Sequence, residues 1–455
     1  MKDTVETILI FDIGKTNKKY YLFDQNLDIL AQDQIIIREV EDDDGDPADN
    51  IEEIEEWIKE VIMRTLARPD YRVLGINFST YGASFVHLNE AGQRTGHLYN
   101  YTKHFPYNLF ESFSDKYDQD GTRVITSGSP GVGMINSGFQ LYWLKYHRPE
   151  FYRHIHYSLH FPQYLSYLLT GIPVSDYTSL GCHTALWNYH QHDYEPWVRA
   201  EKIDKKLASI TSTSHSINCN LHGVPVKVGV GIHDSSAALL PYLSGLHDPF
   251  ILISTGTWSV SLNPFSEENL NTHDIANGCL YYMQTDGKPV IAQRLFLGYE
   301  YEKQVENLAE KYHKKISKIK RIKYSPKKDK KIKKSKTRYF RFKHLGEDES
   351  ILPNDEFQWG LKKTYHQMMA ELVDIQVRAL ESIIKNTRVK QIIVDGGFVK
   401  NDVFLKMLVS RLPGLPVYAS KAPAGSALGA AIALMPAWWS QKSLKKNYKL
   451  KRIYC

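Results

Sequence analysis

The sequence predicts an α/β protein made of two related domains, on three observations. A strand–glycine turn–strand unit opens the chain and recurs after about residue 245. Each unit is followed by an amphipathic helix and a buried strand ending near glycine, the alternation expected of α/β layers. With 455 residues, 42% of them hydrophobic, the chain is long enough for two or three domains that each bury a core.

In the first unit Ile8 to Phe11 is apolar, Asp12 to Asn17 carries turn signals, and Tyr20 to Phe23 is β-prone. Ile35, Ile36 and Ile37 predict a third strand over Gln34 to Arg38, followed by an acidic loop from Glu41 to Asp49. Asn50 caps the helix that follows, with Glu53 three residues on and Ile51, Ile54, Trp57, Ile58, Val61 and Ile62 on one face. Val73 to Phe78 reads as a buried strand. In the second unit Phe250 to Ser254 and Trp258 to Leu262 flank a turn at Thr255 to Thr257. A long helix through Met369, Leu372, Leu380 and Ile383 precedes the strand Gln391 to Asp395, which ends at Gly396-Gly397. Pro241, Gly245 and Pro249 mark the join, giving domains 1–244 and 245–455.

The net charge of +6 is local in origin. Between Lys311 and Lys343 there are 17 Lys and Arg against one acid, Asp329; the rest holds 40 basic and 50 acidic residues. That remainder is mildly acidic, which argues against a nucleic-acid-binding body. The basic run, about 311–343, reads as a solvated insertion, either a mobile surface loop or a helix with a charged face. Cys182, Cys219, Cys279 and Cys455 are scattered without a CxxC pair, as expected of free thiols in a reducing cytoplasm. Met1 to Phe11 shows no basic region before a long apolar run, so no secretory signal is expected. The longest weakly polar stretch, Ser426 to Trp439, is shorter than the ~20 residues of a membrane span.

Four segments could carry chemistry. Gly14-Lys15-Thr16 suggests a P-loop, but Leu9 stands where the pattern needs glycine. What remains is Asp12 at a strand end, then a glycine turn of amides and hydroxyls that can hold phosphate oxygens, with Asp12 near a Mg²⁺. Ser254-Thr255-Gly256-Thr257 is a second such hairpin, and the pair could grip a nucleotide's phosphates from two sides. In the third segment a strand leads into Gly231-Ile232-His233-Asp234 and a helix of small residues. Asp234 either caps that helix or serves as the base that phosphoryl transfer requires. His233 is a substrate donor or a packed turn residue. The fourth segment, Asp395-Gly396-Gly397-Phe398-Val399-Lys400-Asn401, and the small-residue run Pro423 to Ala431 allow close backbone approach, to an adenosine or to a packed neighbour.

In this order and spacing the four segments resemble the FGGY carbohydrate kinase family, over the whole chain apart from the basic insertion. Phe139 to Pro149, Phe161 to Gly171 and Asp176 to Trp197 are similar to three further motifs of that family. The resemblance implies two ribonuclease-H-like, actin-like ATPase domains around a deep cleft. It implies ATP and Mg²⁺ as cofactors, Asp234 as the catalytic aspartate, and Asp12 with Asp234 near the metal. Gly14, Lys15, Thr16, Asn17 and Lys19 would lie by one phosphate site, Gly256 and Thr257 by the other, and Gly396, Gly397 and Asn401 beside the adenosine.

Within the family, His233-Asp234 and Ser254 to Ser259 look like the rhamnulokinases and other deoxyketose kinases. Gly82, Ala83, Ser84, Asn100 and His233 would then face the sugar. Ser84 replaces an expected Asp, and Tyr99 to Lys103 replaces a more highly charged run, which leaves the identity of the sugar open. A cytoplasmic kinase of a small sugar is therefore expected, binding sugar and ATP, with neither nucleic acid nor membrane as partner and a homodimer left open.

Overall fold

A computed structural model describes residues 4–131, 133–335, 337–345, 359–421 and 424–455. The first sheet begins with β1 (Val5–Ile13), β2 (Lys18–Asp24) and β3 (Ile29–Ile35). Then come α1 (Ile51–Leu66) and β4 (Tyr71–Thr80), and after a long excursion β5 (Ser216–Leu221), β6 (Val224–Gly229) and β7 (Ile232–His233). The strand order is β5-β6-β4-β1-β2-β3, with β7 also paired to β4. Next, α2 (Asp234–Gly245) leads to β8 (Phe250–Thr255), β9 (Ser259–Asn263), β10 (Cys279–Met283) and β11 (Pro289–Leu295). They are followed by α3 (Leu297–Lys311), α4 (Pro326–Lys334), α5 (Leu361–Ile384), β12 (Gln391–Gly396), α6 (Asp402–Arg411), β13 (Val417–Ala419), α7 (Gly425–Leu434) and β14 (Lys451–Arg452). The second sheet runs β10-β11-β9-β8-β12-β13-β14.

The two sheets repeat one plan. In each, the first strand pairs antiparallel with the next (β1 with β2, β8 with β9) and parallel with the strand that follows the helix (β1 with β4, β8 with β12). A further antiparallel strand flanks one side and a further parallel strand the other. The recurring strand–turn–strand pattern of the sequence is this duplication.

Local chemistry explains the element boundaries. The Asn50 side chain accepts from the Glu53 amide at 3.2 Å, which caps α1, and Ile51, Ile54, Ile58, Val61 and Ile62 are buried on the face predicted for it. The third strand falls at Ile29–Ile35 rather than at Gln34 to Arg38. A turn in which the Asp24 carboxylate accepts from the Asn26 and Asp28 amides starts β3 early, and the hairpin then sets its register. Ile36 is left exposed and Ile37 enters the core under α1. Pro241 lies inside α2, which continues to Gly245.

The two halves meet along α2 and α7. A Cβ on Gly429 would stand 1.8 Å from the Ala237 carbonyl oxygen, so glycine is what lets these helices touch. Asn77, at the centre of the first sheet, donates to the Ala430 carbonyl of α7 at 2.8 Å and accepts from the Gly231 amide at 3.1 Å.

In the basic segment the described residues form a short helical turn, Ile316–Ile319, and α4, whose outer face is charged. Ile319 and Ile332 are buried, and Asp329, its single acid, is buried where it accepts from Tyr324, Ser410 and Arg411. The lysines coat the outside. Among the described residues, no helix is long and apolar enough to cross a membrane, and all four cysteines are free thiols.

Candidate active site

Asp234 opens α2 directly after β7. His233, not Asp234, caps the helix: its Nδ1 accepts from the Ser235 amide at 3.1 Å. The Asp234 carboxylate is thereby left out of the cap: 38% exposed, it lies 3.4 Å from His233 Nδ1 and, among the described residues, accepts from the Ser235 hydroxyl at 3.2 Å. His233 is buried, and burial pulls its pKa down against the opposing pull of Asp234 and Asp176. A neutral ring whose Nδ1 is an acceptor carries its proton on Nε2. That nitrogen points at Gly82, where a Cβ would come within 2.4 Å of it.

Asp12 ends β1 opposite Lys19 of β2. Its carboxylate accepts from the Ser426 hydroxyl at 2.8 Å, a contact from the first residues of α7. Burial pushes the Asp12 pKa up to about 6; the Ser426 hydrogen bond and Lys19 oppose the shift and the nearby Asp234 charge adds to it. Two carboxylates thus face one region with one basic side chain beside them. Hard oxygen donors of this kind suit a Mg²⁺ ion.

The two hairpins differ in construction. The first closes with the Gly14 amide donating to the Asn17 carbonyl at 3.0 Å and leaves Thr16 exposed. Lys15 turns away from it to pair with Asp49 at 2.6 Å and Glu39 at 2.9 Å, where Tyr81 also donates to Asp49. The second closes with the Gly256 amide on the Trp258 carbonyl at 2.7 Å. Thr255 fixes it to β12 by donating to the Asp395 carbonyl and accepting from the Phe398 amide.

Beside the second hairpin lies a cavity of about 480 Å³. Of the expected residues, Gly256, Thr257, Gly397 and Asn401 line it, together with Tyr299, Glu302 and Lys320. Gly396 stands behind, at φ +84°, where a Cβ would be 2.0 Å from the Thr255 carbonyl oxygen. Asn401 caps α6 and donates to the Tyr365 hydroxyl, so its side chain shapes the wall. Pro423 lies outside the described residues.

On the opposite side, Ala83 has φ +61° and Ser84 is buried with its hydroxyl on the Tyr99 carbonyl at 3.3 Å. Asn100 is taken up by its own turn, accepting from the Thr102 amide and hydroxyl and donating to Glu39. Lys103 is buried among Asp42, Asp44 and Asp46.

Sequence reasoning missed the residues that α3, β10, β11 and the basic segment bring to the cleft: Tyr282, Arg294, Tyr299, Glu302 and Lys320. One usable signal was the apolar run Val290-Ile291-Ala292, which reads as a buried strand with a charge, Arg294, at its end.

Comparisons with known proteins agree with this two-lobed architecture. The model of the N-terminal domain of the FGGY family of carbohydrate kinases matches residues 7–239, just over half of the chain. The chain belongs to the FGGY family of carbohydrate kinases and is a sugar-kinase phosphotransferase. Its fold is similar to that of a carbohydrate kinase from Novosphingobium aromaticivorans, with TM-score 0.80 and 24% identity over 98% of this chain and 96% of the other. A ligand-bound xylulose kinase from Lactobacillus acidophilus gives TM-score 0.76 at 15% identity, over 99% and 94% of the two chains. A gluconate kinase from the same organism gives 0.74 at 15%, with the same coverages.

Proposed function

We propose that the chain transfers the γ-phosphoryl group of ATP to a primary hydroxyl of a small polyhydroxylated acceptor, with Asp234 as the base. The observation that carries this reading is the Asp234 carboxylate, released from capping by His233 and facing Asp12. The acceptor oxygen forms its bond to γ-phosphorus as the bridge to ADP breaks, and the hydroxyl proton passes to Asp234. Nε2–H of His233 donates to an acceptor oxygen and orients it. The amides of both glycine hairpins and the Lys19 ammonium receive phosphate charge, and the cavity beside Gly256 and Gly397 takes the adenosine. Asp12 and Asp234 would hold Mg²⁺, which when bound neutralises phosphate charge. Scattered free thiols support a cytoplasmic setting.

For the acceptor, His233 and the Ser254 to Ser259 run favour a ketose such as L-rhamnulose or L-fuculose, with xylulose and glycerol as neighbouring possibilities. A sugar acid is a further alternative. A catalytically weak sugar-binding relative is the remaining alternative, and measurable turnover excludes it.

Asp234→Asn tests the base. ATP binding by calorimetry should persist while ADP release with an accepted substrate falls by about 10²- to 10⁴-fold. Near-normal turnover in the variant would reject the assignment.

A further inference from the structure

Two stretches that lie far apart in the sequence put their positive charge on one side of the second lobe. From Lys314 to Lys334 there are 12 Lys and Arg against Asp329, and from Val403 to Cys455 there are nine and no acid. Folding brings both stretches together at α6. On one flank Lys333 of α4 donates to the Ser410 carbonyl at 2.7 Å, and the Tyr324 amide donates to the Asp402 carboxylate at 3.1 Å. On the other, β14 pairs with β13, and the Cys455 thiol donates to the Lys406 carbonyl at 2.9 Å. The Tyr324 hydroxyl lies 4.0 Å from the Cys455 sulfur, so the C-terminal strand runs up against the basic segment.

The charge of this face is not balanced within the molecule. Eleven of the 12 cations between Lys314 and Lys334 are exposed, as are Lys451 and Arg452 of β14. Among the described residues, Lys320 is the only one of the 12 with a carboxylate partner, Glu302. Asp329 is buried against Arg411 and offsets none of the outer charges. On α4, Lys327 stands three and four residues from Lys330 and Lys331, and Lys330 four from Lys334, a spacing at which like charges repel. Docking does not require this, since Ile332 and Asp329 hold α4 from the inside and a neutral outer face would leave them in place. The uncompensated charge therefore matches a polyanion outside the chain.

Two features favour a lipid surface over a nucleic acid. Of the 12 cations only Arg321 is an arginine. Ammonium groups are compact point charges that answer to the summed field of a charged surface, whereas the guanidinium fork suits bidentate reading of single phosphates and bases. The face also carries exposed apolar side chains. Ile316, 40% exposed, stands between Lys315 and Lys318, and Tyr454, 66% exposed, has the Arg452 guanidinium 5.2 Å from its ring centre. Such groups enter the headgroup layer of a bilayer while the lysines beside them meet its charge.

We propose that this face, from α4 across α6 to β14, binds the surface of an anionic lipid bilayer and holds the enzyme peripherally at a membrane. The contact is superficial and independent of the kinase reading. Composition had given no sign of a membrane partner; the convergence of the two stretches supplies it.

The test is co-sedimentation of the full chain with large vesicles of phosphatidylcholine, pure or containing about one third phosphatidylserine, at about 50 and 200 mM salt. The wild type should bind the anionic vesicles and not the neutral ones, and its affinity should fall about tenfold or more at the higher salt. Lys327→Gln, Lys330→Gln, Lys331→Gln and Lys334→Gln combined should reduce binding about a hundredfold, and Lys451→Gln with Arg452→Gln severalfold. These variants keep Ile319, Asp329 and Ile332, which dock the segment. Ile316→Ser should weaken vesicle binding severalfold at both salt concentrations. Absence of binding to anionic vesicles, or equal binding to neutral ones, overturns the proposal. Retention of binding in the fourfold α4 variant overturns it too, because the contact then lies elsewhere. Tighter binding to a homopolymeric RNA than to the vesicles at the same salt, unaffected by Ile316→Ser, would assign the face to a nucleic acid instead.

Discussion

The Ser426 hydroxyl donates to the Asp12 carboxylate at 2.8 Å, joining the first residues of α7 to the end of β1 across the two halves of the molecule. The hydrogen bond favours the ionised carboxylate, against burial that has pushed the pKa up to about 6. A protonated Asp12 cannot hold a cation, so the Mg²⁺ concentration needed for half-maximal activity should climb as pH falls below about 6. Ser426→Ala removes a group that lowers the pKa and should move this limb to higher pH. Activity measured against Mg²⁺ at several pH values checks both statements. A limb that does not move in the variant would sever Ser426 from the site.

Gly396 leaves no room for a side chain beside the second hairpin. At φ +84° and with the Thr255 carbonyl oxygen 2.0 Å from any Cβ, alanine there must strain the backbone and push β8 from β12. Gly396→Ala should cost about 2–4 kcal/mol of stability. It should also weaken ATP binding more than acceptor binding, because Thr255 fixes the hairpin to that strand. Urea unfolding and calorimetry with each ligand separate the two effects.

Repeated local chemistry made much of this molecule readable in advance. Both hairpins, the Asn50 cap, and the strands before Asp12 and Gly396 follow from turn residues and apolar periodicity, which act over a few residues. What distance in the chain hides was missed. Tyr282 stands against His233 only because β10 of the second sheet meets the start of α2, and no local pattern records that approach. The His233 cap was missed because imidazole is not among the usual capping groups, yet it leaves the Asp234 carboxylate out of the cap. Lys15 looked like a phosphate ligand from its place beside Gly14, but partners 24 and 34 residues away, Glu39 and Asp49, claim it. The basic run misled by composition alone: buried Ile319 and Ile332 and one buried acid, Asp329, dock it.

That docking brings Lys320 to the wall of the cavity beside Gly256, where it pairs with Glu302 at 2.6 Å. Both side chains are substantially exposed, so the pair adds little to stability. Its effect should fall on nucleotide binding instead. Lys320→Ala leaves the Glu302 charge facing a polyphosphate and should raise the KM for ATP a fewfold, about 1 kcal/mol. Glu302→Gln should lower it, and the double variant should lie between. Removing residues 314–334 should do more than alter KM, because it strips Arg411 of its buried partner Asp329. Equal KM values across the single variants would show that the pair is peripheral to the nucleotide.

Glu371 of α5 holds the end of the basic segment by accepting from the Tyr339 and Phe340 amides at 3.0 Å each and from Gln367 at 2.8 Å. Burial raises its pKa from 4.5 to about 7 in spite of these donors. A carboxyl raised on folding binds its proton more tightly in the native state, so stability is greatest below the unfolded value and is lost as pH rises through the folded one. Between about pH 4.5 and 7 the unfolded chain has released this proton while the native chain keeps it, and the penalty grows on the order of 1 kcal/mol per pH unit. Glu371→Gln keeps an acceptor oxygen and cannot ionise, so its stability should change less over that interval than the wild type's. Denaturant unfolding at half-unit steps from pH 5 to 8 measures the difference in slope. Identical slopes would place the Glu371 pKa at its ordinary value, and a steeper fall in the variant would reverse the assigned sign.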